Sequence, residues 1–131
     1  MNVGVKTPVA NVTVAGRTVP IYGTGQPTGT ATCPGAANMH AQASETLAKK
    51  MAATGDYEYL TLNRRWSTAT GASPDIRPPD VIGVRCDGRV DAWEVLSKGD
   101  TVRNLKMRVD AGMATLPTAN QGMTDVVNPV C

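Results

Sequence analysis

One histidine, His40, in 131 residues removes whole classes of chemistry. Ribonuclease mechanisms built on a histidine pair, and nucleases that fold around a histidine–metal finger, need more imidazole than this chain has. Cysteine is equally sparse. Cys33, Cys86 and Cys131 are odd in number and far apart, which suits neither a complete disulfide framework nor a close-spaced zinc site, so free or buried thiols are expected. No apolar run approaches the roughly 20 residues that span a bilayer, and the first residues lack the basic, apolar, small-residue order of a signal peptide. A soluble chain with no membrane partner and no Sec-type address of its own is therefore expected. Charge is weak too: a net +2 is compatible with a nucleic-acid partner without arguing for one.

What is present suffices for one core, since 41% of the residues are hydrophobic. Residues 1–37 are rich in Val, Thr, Gly and Pro, nearly uncharged and without helical period. They read as an extended N-terminal arm or linker ahead of a folded domain over 38–131. Within the arm, 11–14 and 17–22 flank Ala15-Gly16 as a small hairpin whose second strand Pro20 would confine to an edge, and 23–37 reads as a mobile connection. Asn38 is a good N-cap for a helix reaching about Thr54, with Gly55 as its C′ residue and Met39, Ala43, Leu47 and Met51 as its apolar stripe. A strand at 57–62 follows, then a long loop over 64–79 carrying Arg64, Arg65, Trp66 and Arg77.

Strands at about 80–85 and 89–97 pair through Asp87-Gly88, a strong hairpin signal. Asp100 or Thr101 caps a second helix, which turns Val102, Leu105, Val109, Gly112, Met113 and Leu116 to the core and stops before Pro117. A short strand at 124–127 closes the chain. The expected fold class is α/β (α+β), in the order helix-strand-strand-strand-helix-strand, with a mixed sheet flanked by helices.

The hairpin delivers Asp80, Glu94 and Lys98 to one neighbourhood. Two carboxylates beside an amine suit a metal-dependent phosphodiesterase, because Mg²⁺ takes hard oxygen ligands and its bound water needs a nearby cation or base. With Pro79-Asp80 opening one strand and Glu94 in the next, the chain resembles the PD-(D/E)xK nuclease superfamily. More narrowly, Arg77-Pro78-Pro79-Asp80-Val81-Ile82-Gly83-Val84-Arg85, Asp87-Gly88-Arg89-Val90-Asp91 and Glu94-Val95-Leu96-Ser97-Lys98 resemble the C-terminal toxin domains of Rhs-type and other bacterial polymorphic toxins. The resemblance covers roughly residues 38–128 and implies a restriction-endonuclease-like core that hydrolyses DNA, or RNA in related toxins. It further implies a larger toxin or delivery polypeptide, release into the cytoplasm of a target bacterium, and a cognate immunity protein in the producer. One position departs from the pattern: the lysine two residues after the acid is replaced by Leu96, and Lys98 stands two further on, on the same strand face as Glu94.

In that frame Asp80 and Glu94, with the Val95 carbonyl as a third ligand, hold Mg²⁺ or Mn²⁺, while Lys98 orients the attacking water and offsets phosphoryl charge. Cleavage would leave a 5′-phosphate, and Glu45 matches an accessory carboxylate of some superfamily members. Lys106 is a substitute for the displaced lysine. Arg64, Arg65, Arg77 and Ser97 are candidate substrate contacts, with Trp66 available to stack on a base. Each has a plainer role: Asp80 as a turn residue, Lys98 as an exposed strand end, Glu45 as the i,i+4 partner of Lys49, Ser97 as a turn cap. Asp87 belongs to the turn and Asp91 faces away from Glu94 by strand parity, so both are left out of the site. The alternatives to a DNase are an RNase of the same fold and a non-catalytic binding module.

Overall fold

A computed structural model describes residues 7–24, 39–70, 77–97 and 99–128. Strands β1 (Ala10–Val14) and β2 (Arg17–Gly23) come first. Then follow helix α1 (Met39–Ala52), strand β3 (Tyr57–Leu62), the short helix α2 (Trp66–Thr70), strands β4 (Val81–Arg85) and β5 (Val90–Val95), helix α3 (Val102–Met113), a 3-10 turn at Thr118–Asn120 and strand β6 (Gln121–Val127). The six strands form one mixed sheet in sequence order. β2/β3 and β5/β6 are parallel, and every other neighbouring pair is antiparallel.

Alternation along the strands places a helix layer on each face. Val81 and Trp93 pack with Ala48 and Ala52 of α1, whereas their neighbours Ile82 and Ala92 pack with Val109 and Met113 of α3. The α1 contact is made by small residues: Ala43, Ser44, Ala48 and Ala52 are buried, and Leu47 and Met51 only flank them. The buried row is thus rotated from the Ala43–Leu47–Met51 stripe, because the sheet admits a close approach by alanines. In α3, Thr101 is the N-cap, its side chain accepting from the Asn104 N–H at 3.1 Å. Leu105, Val109, Gly112 and Met113 are buried as the spacing requires. Val102 is 54% exposed instead of joining the stripe, since it sits in the first turn before the helix reaches the sheet.

Three further departures concern connections. Residues 10–23, expected in an arm, are part of the sheet, and Val19 and Ile21 are wholly buried against α1. Their low charge and β-branched content mark strands more than a linker. β2 is interior despite Pro20, because its ladder with β3 begins only at Ile21, so the missing N–H falls outside it. The 64–79 loop contains α2, begun by the Ala69 N–H donating to the Arg65 carbonyl. Asn38 and the 25–37 connection lie outside the described residues.

The Asp87-Gly88 turn closes as expected, with the Arg89 N–H donating to Asp87 Oδ1 at 2.9 Å and Gly88 at φ +91°. Asp91, 1% exposed, accepts from Tyr57 Oη (2.6 Å), Arg85 Nε (2.7 Å) and the Met123 N–H (2.7 Å). It thereby ties β3, β4, β5 and β6 together from the α1 face. Cys86 is exposed and unbridged, and among the described residues no helix is long and apolar enough to cross a membrane.

Candidate active site

Strand direction decides what meets at one rim of the sheet. β2, β3, β5 and β6 run one way and β1 and β4 the other, so the start of β4 lies beside the ends of β3 and β5. Asp80 precedes β4, Asn63 and Arg64 follow β3, and Glu94 and Val95 close β5. Open α/β sheets commonly take their ligands at the carboxyl ends of strands.

Side-chain alternation puts Asp80 with Ile82 and Glu94 with Ala92, on the face covered by α3. The two acids are tied reciprocally. The Asp80 N–H donates to Glu94 Oε1 (3.0 Å), and the Val95 N–H donates to Asp80 Oδ2 (2.7 Å). Glu94 is 6% exposed. Burial first, and then the adjacent Asp80 carboxylate, push its pKa from 4.5 up to about 7, against the opposing pull of the Asp80 N–H and the Arg108 charge. A carboxyl held there exchanges its proton near neutrality, and its ionised form gains from a cation placed beside it.

Arg108 on α3 sets Nη2 3.7 Å from Glu94 Oε2 and 3.9 Å from Asp100 Oδ2. Asp100 in turn accepts from Ser97 Oγ at 2.8 Å and donates its N–H to the Ser97 carbonyl. On the other side, the Asn63 N–H donates to the Asp80 carbonyl (3.0 Å), locking the exit of β3 to the entry of β4. Beyond it, Gly23, Thr24, Asn63 and Arg64 help line a shallow cavity of about 300 Å³. Glycine is required at 23: φ is +89°, and a Cβ would stand 2.3 Å from the Leu62 carbonyl oxygen and 2.9 Å from Arg64 Nε.

No family model, curated protein or solved structure matches the chain.

Of the residues singled out in the sequence, Asp80, Glu94 and Val95 come together, and Ser97 stands one step away through Asp100 and Arg108. Val95 takes part through its N–H, which fixes Asp80. The Ser97 hydroxyl is engaged by Asp100. Glu45 forms an i,i+4 ion pair with Lys49 (3.2 Å) on α1, the helix of the opposite face. Arg64 borders the rim cavity, and Arg65 and Arg77 are exposed. Lys98 lies outside the described residues. Trp66 does not stack on a base: it is fully buried against Gly112 of α3. Lys106 is bound to Asp110 Oδ1 (2.8 Å) and Thr124 Oγ1 (2.6 Å). Arg108 escaped the sequence reading. Its signal was position, three residues after Leu105 and four before Gly112, next to the buried stripe.

Among the described residues, no group of three or more histidine, cysteine or acidic side chains gathers to hold a metal. The donors that do gather are carboxylate oxygens on two rigid strand ends, with mutual repulsion that a cation would relieve. That set fits a hard ion such as Mg²⁺ that keeps several of its waters.

Proposed function

We propose that the chain is a metal-dependent nuclease of PD-(D/E)xK type that hydrolyses phosphodiester bonds of DNA. It would serve as the toxin domain of a larger polymorphic toxin delivered into the cytoplasm of a competing bacterium. The observation that carries this reading is the pairing of half-buried Asp80 with buried Glu94, reciprocally hydrogen-bonded across the β4–β5 hairpin, with Glu94 held near neutrality. The order of helix, three antiparallel strands, helix and parallel strand, from α1 to β6, supports the restriction-endonuclease-like form of the core.

Asp80 and Glu94 would hold Mg²⁺ or Mn²⁺ with the Val95 carbonyl as a further donor. When bound, such an ion supplies an activated water and charge stabilisation at the phosphoryl oxygens. The chain's own residues prepare the site. The Val95 N–H aims the Asp80 carboxylate, the Asp80 N–H aims that of Glu94, and Glu94 takes or releases a proton at its carboxyl near pH 7. Arg64, Arg65 and Arg77 offer cations to the flanking phosphates, and Lys98 remains a candidate for the lysine absent at Leu96.

The test is incubation of the protein with plasmid DNA and, separately, with total tRNA, in Mg²⁺ and in EDTA, beside Glu94→Ala. Metal-dependent loss of DNA that the variant abolishes is the expected outcome, and loss of tRNA alone would assign the same site to RNA. A second reading has its own observation: a backbone N–H already holds each carboxylate, and Arg108 lies near that of Glu94, as in a purely structural network. No cleavage of either polymer by folded protein would favour that binding-module reading.

A further inference from the structure

Arg108 carries donors that its surroundings leave unused. Its Nη2 stands 3.7 Å from Glu94 Oε2 and 3.9 Å from Asp100 Oδ2, beyond hydrogen-bond range in both cases. Its Nε–H is buried and has no acceptor among the described residues. Buried donors in native proteins nearly always find a partner, so an unfilled one beside a pair of carboxylates marks a guanidinium that gains by turning outward to an acceptor. The acceptor must be an anion or strong dipole, because a guanidinium has five N–H donors and no lone pair to offer.

Two neighbouring positions are not open to this role. Lys106 is committed to both Asp110 and Thr124, and Leu96 brings no charge two residues beyond Glu94. Arg108 is also placed to move. Leu105 and Val109 anchor its helix in the core, while its side chain is 34% exposed and its attractions to Glu94 and Asp100 are both long. The head can turn toward solvent without breaking a hydrogen bond.

We propose that Arg108 is a substrate-contacting residue, whose planar fork takes two oxygens of a phosphate lying against the Asp80–Glu94 pair. The proposal rests on the nucleic-acid reading given above and adds a phosphate-binding cation from α3, whichever residue takes the place of the lysine absent at Leu96. Arginine suits this better than lysine, because two parallel N–H donors match two oxygens of a phosphate in one plane.

The test separates binding from cleavage. With Glu94→Gln as the background and EDTA present, labelled DNA duplex and labelled tRNA are titrated by fluorescence anisotropy at a series of salt concentrations. Adding Arg108→Gln is expected to weaken binding about tenfold and to lower the slope of log affinity against log salt by about 1. Arg108→Lys should restore the slope but leave affinity at least about threefold short, since a point charge replaces the fork. Equal affinity and slope with and without Arg108→Gln overturn the proposal and leave the nucleic-acid reading standing. Failure of the background protein to bind either polymer overturns both. Circular dichroism checks folding, and should Arg108→Gln not fold, Arg108→Lys decides alone: affinity equal to the background's overturns the proposal.

Discussion

Ionisation of Glu94 runs against the preference of its surroundings. Its folded pKa is raised from 4.5 to about 7 by burial and by Asp80, so the folded protein binds that proton more tightly than the unfolded chain. The stability this provides is full below about pH 4.5 and is lost as pH climbs through about 7. In EDTA, Glu94→Gln keeps an acceptor for the Asp80 N–H and removes the charge. It is expected to change urea unfolding little at pH 4 and to stabilise the protein at pH 8 by about 3 kcal/mol at most. A difference that stays constant with pH would show that Glu94 is not the strained group. At this scale the sequence was legible where a local rule sufficed. Strand parity and one tight turn are enough to bring Asp80 to Glu94 and to send Asp91 to the other face. Arg108 and the buried state of Trp66 depend on how α3 and α2 dock, which no local rule encodes.

Trp66 and Gly112 make that docking a matter of one missing methyl group. A Cβ at Gly112 would lie 2.3 Å from the Trp66 ring, and Trp66 is fully buried with no room to withdraw. Alanine normally favours a helix interior over glycine by about 1 kcal/mol, but here overpacking of about 1–3 kcal/mol opposes it. Gly112→Ala is expected to lower the melting temperature, and a rise would mean that α2 gives way easily. The elements themselves were readable: α1, β3, the β4–β5 hairpin, α3 and β6 follow from periodicity, caps and the Asp-Gly turn. The α1 face was misjudged because alanines pack it while larger Leu47 and Met51 stay at its flank. α2 went unseen because five residues give no helical period.

For the whole molecule, the N-terminal hairpin matters more than its composition suggests. Val19 and Ile21 complete the cluster under α1, and β2 covers the edge of β3. Removing residues 1–24 would bare that edge and the apolar surface beside it. The shortened chain is expected to self-associate or lose cooperative unfolding, as read by light scattering after size exclusion and by thermal melting. A monomer with an unchanged transition would restore the arm as a mere linker. The three arginines near the hairpin have a partner consequence under the nuclease reading: an immunity protein that blocks a phosphate-binding cleft presents acidic groups to it. Charge reversal at Arg64, Arg65 and Arg77 should then weaken that complex by tenfold or more in calorimetry, and unchanged affinity would place the inhibitor elsewhere.

The reciprocal hydrogen bonds between Asp80 and the Glu94-Val95 segment also bear on the order in which the chain folds. They span a sequence separation of only 14 and 15 residues, within one hairpin of a kind that closes in about 1–10 μs. The two parallel joins, β2 with β3 and β5 with β6, must wait for crossovers with a larger loop-closure penalty. The acids therefore meet early, in water, where their repulsion is weak. Glu94 loses its water only when α3 settles over it, so the docking of that helix is also the step that raises its affinity for a proton.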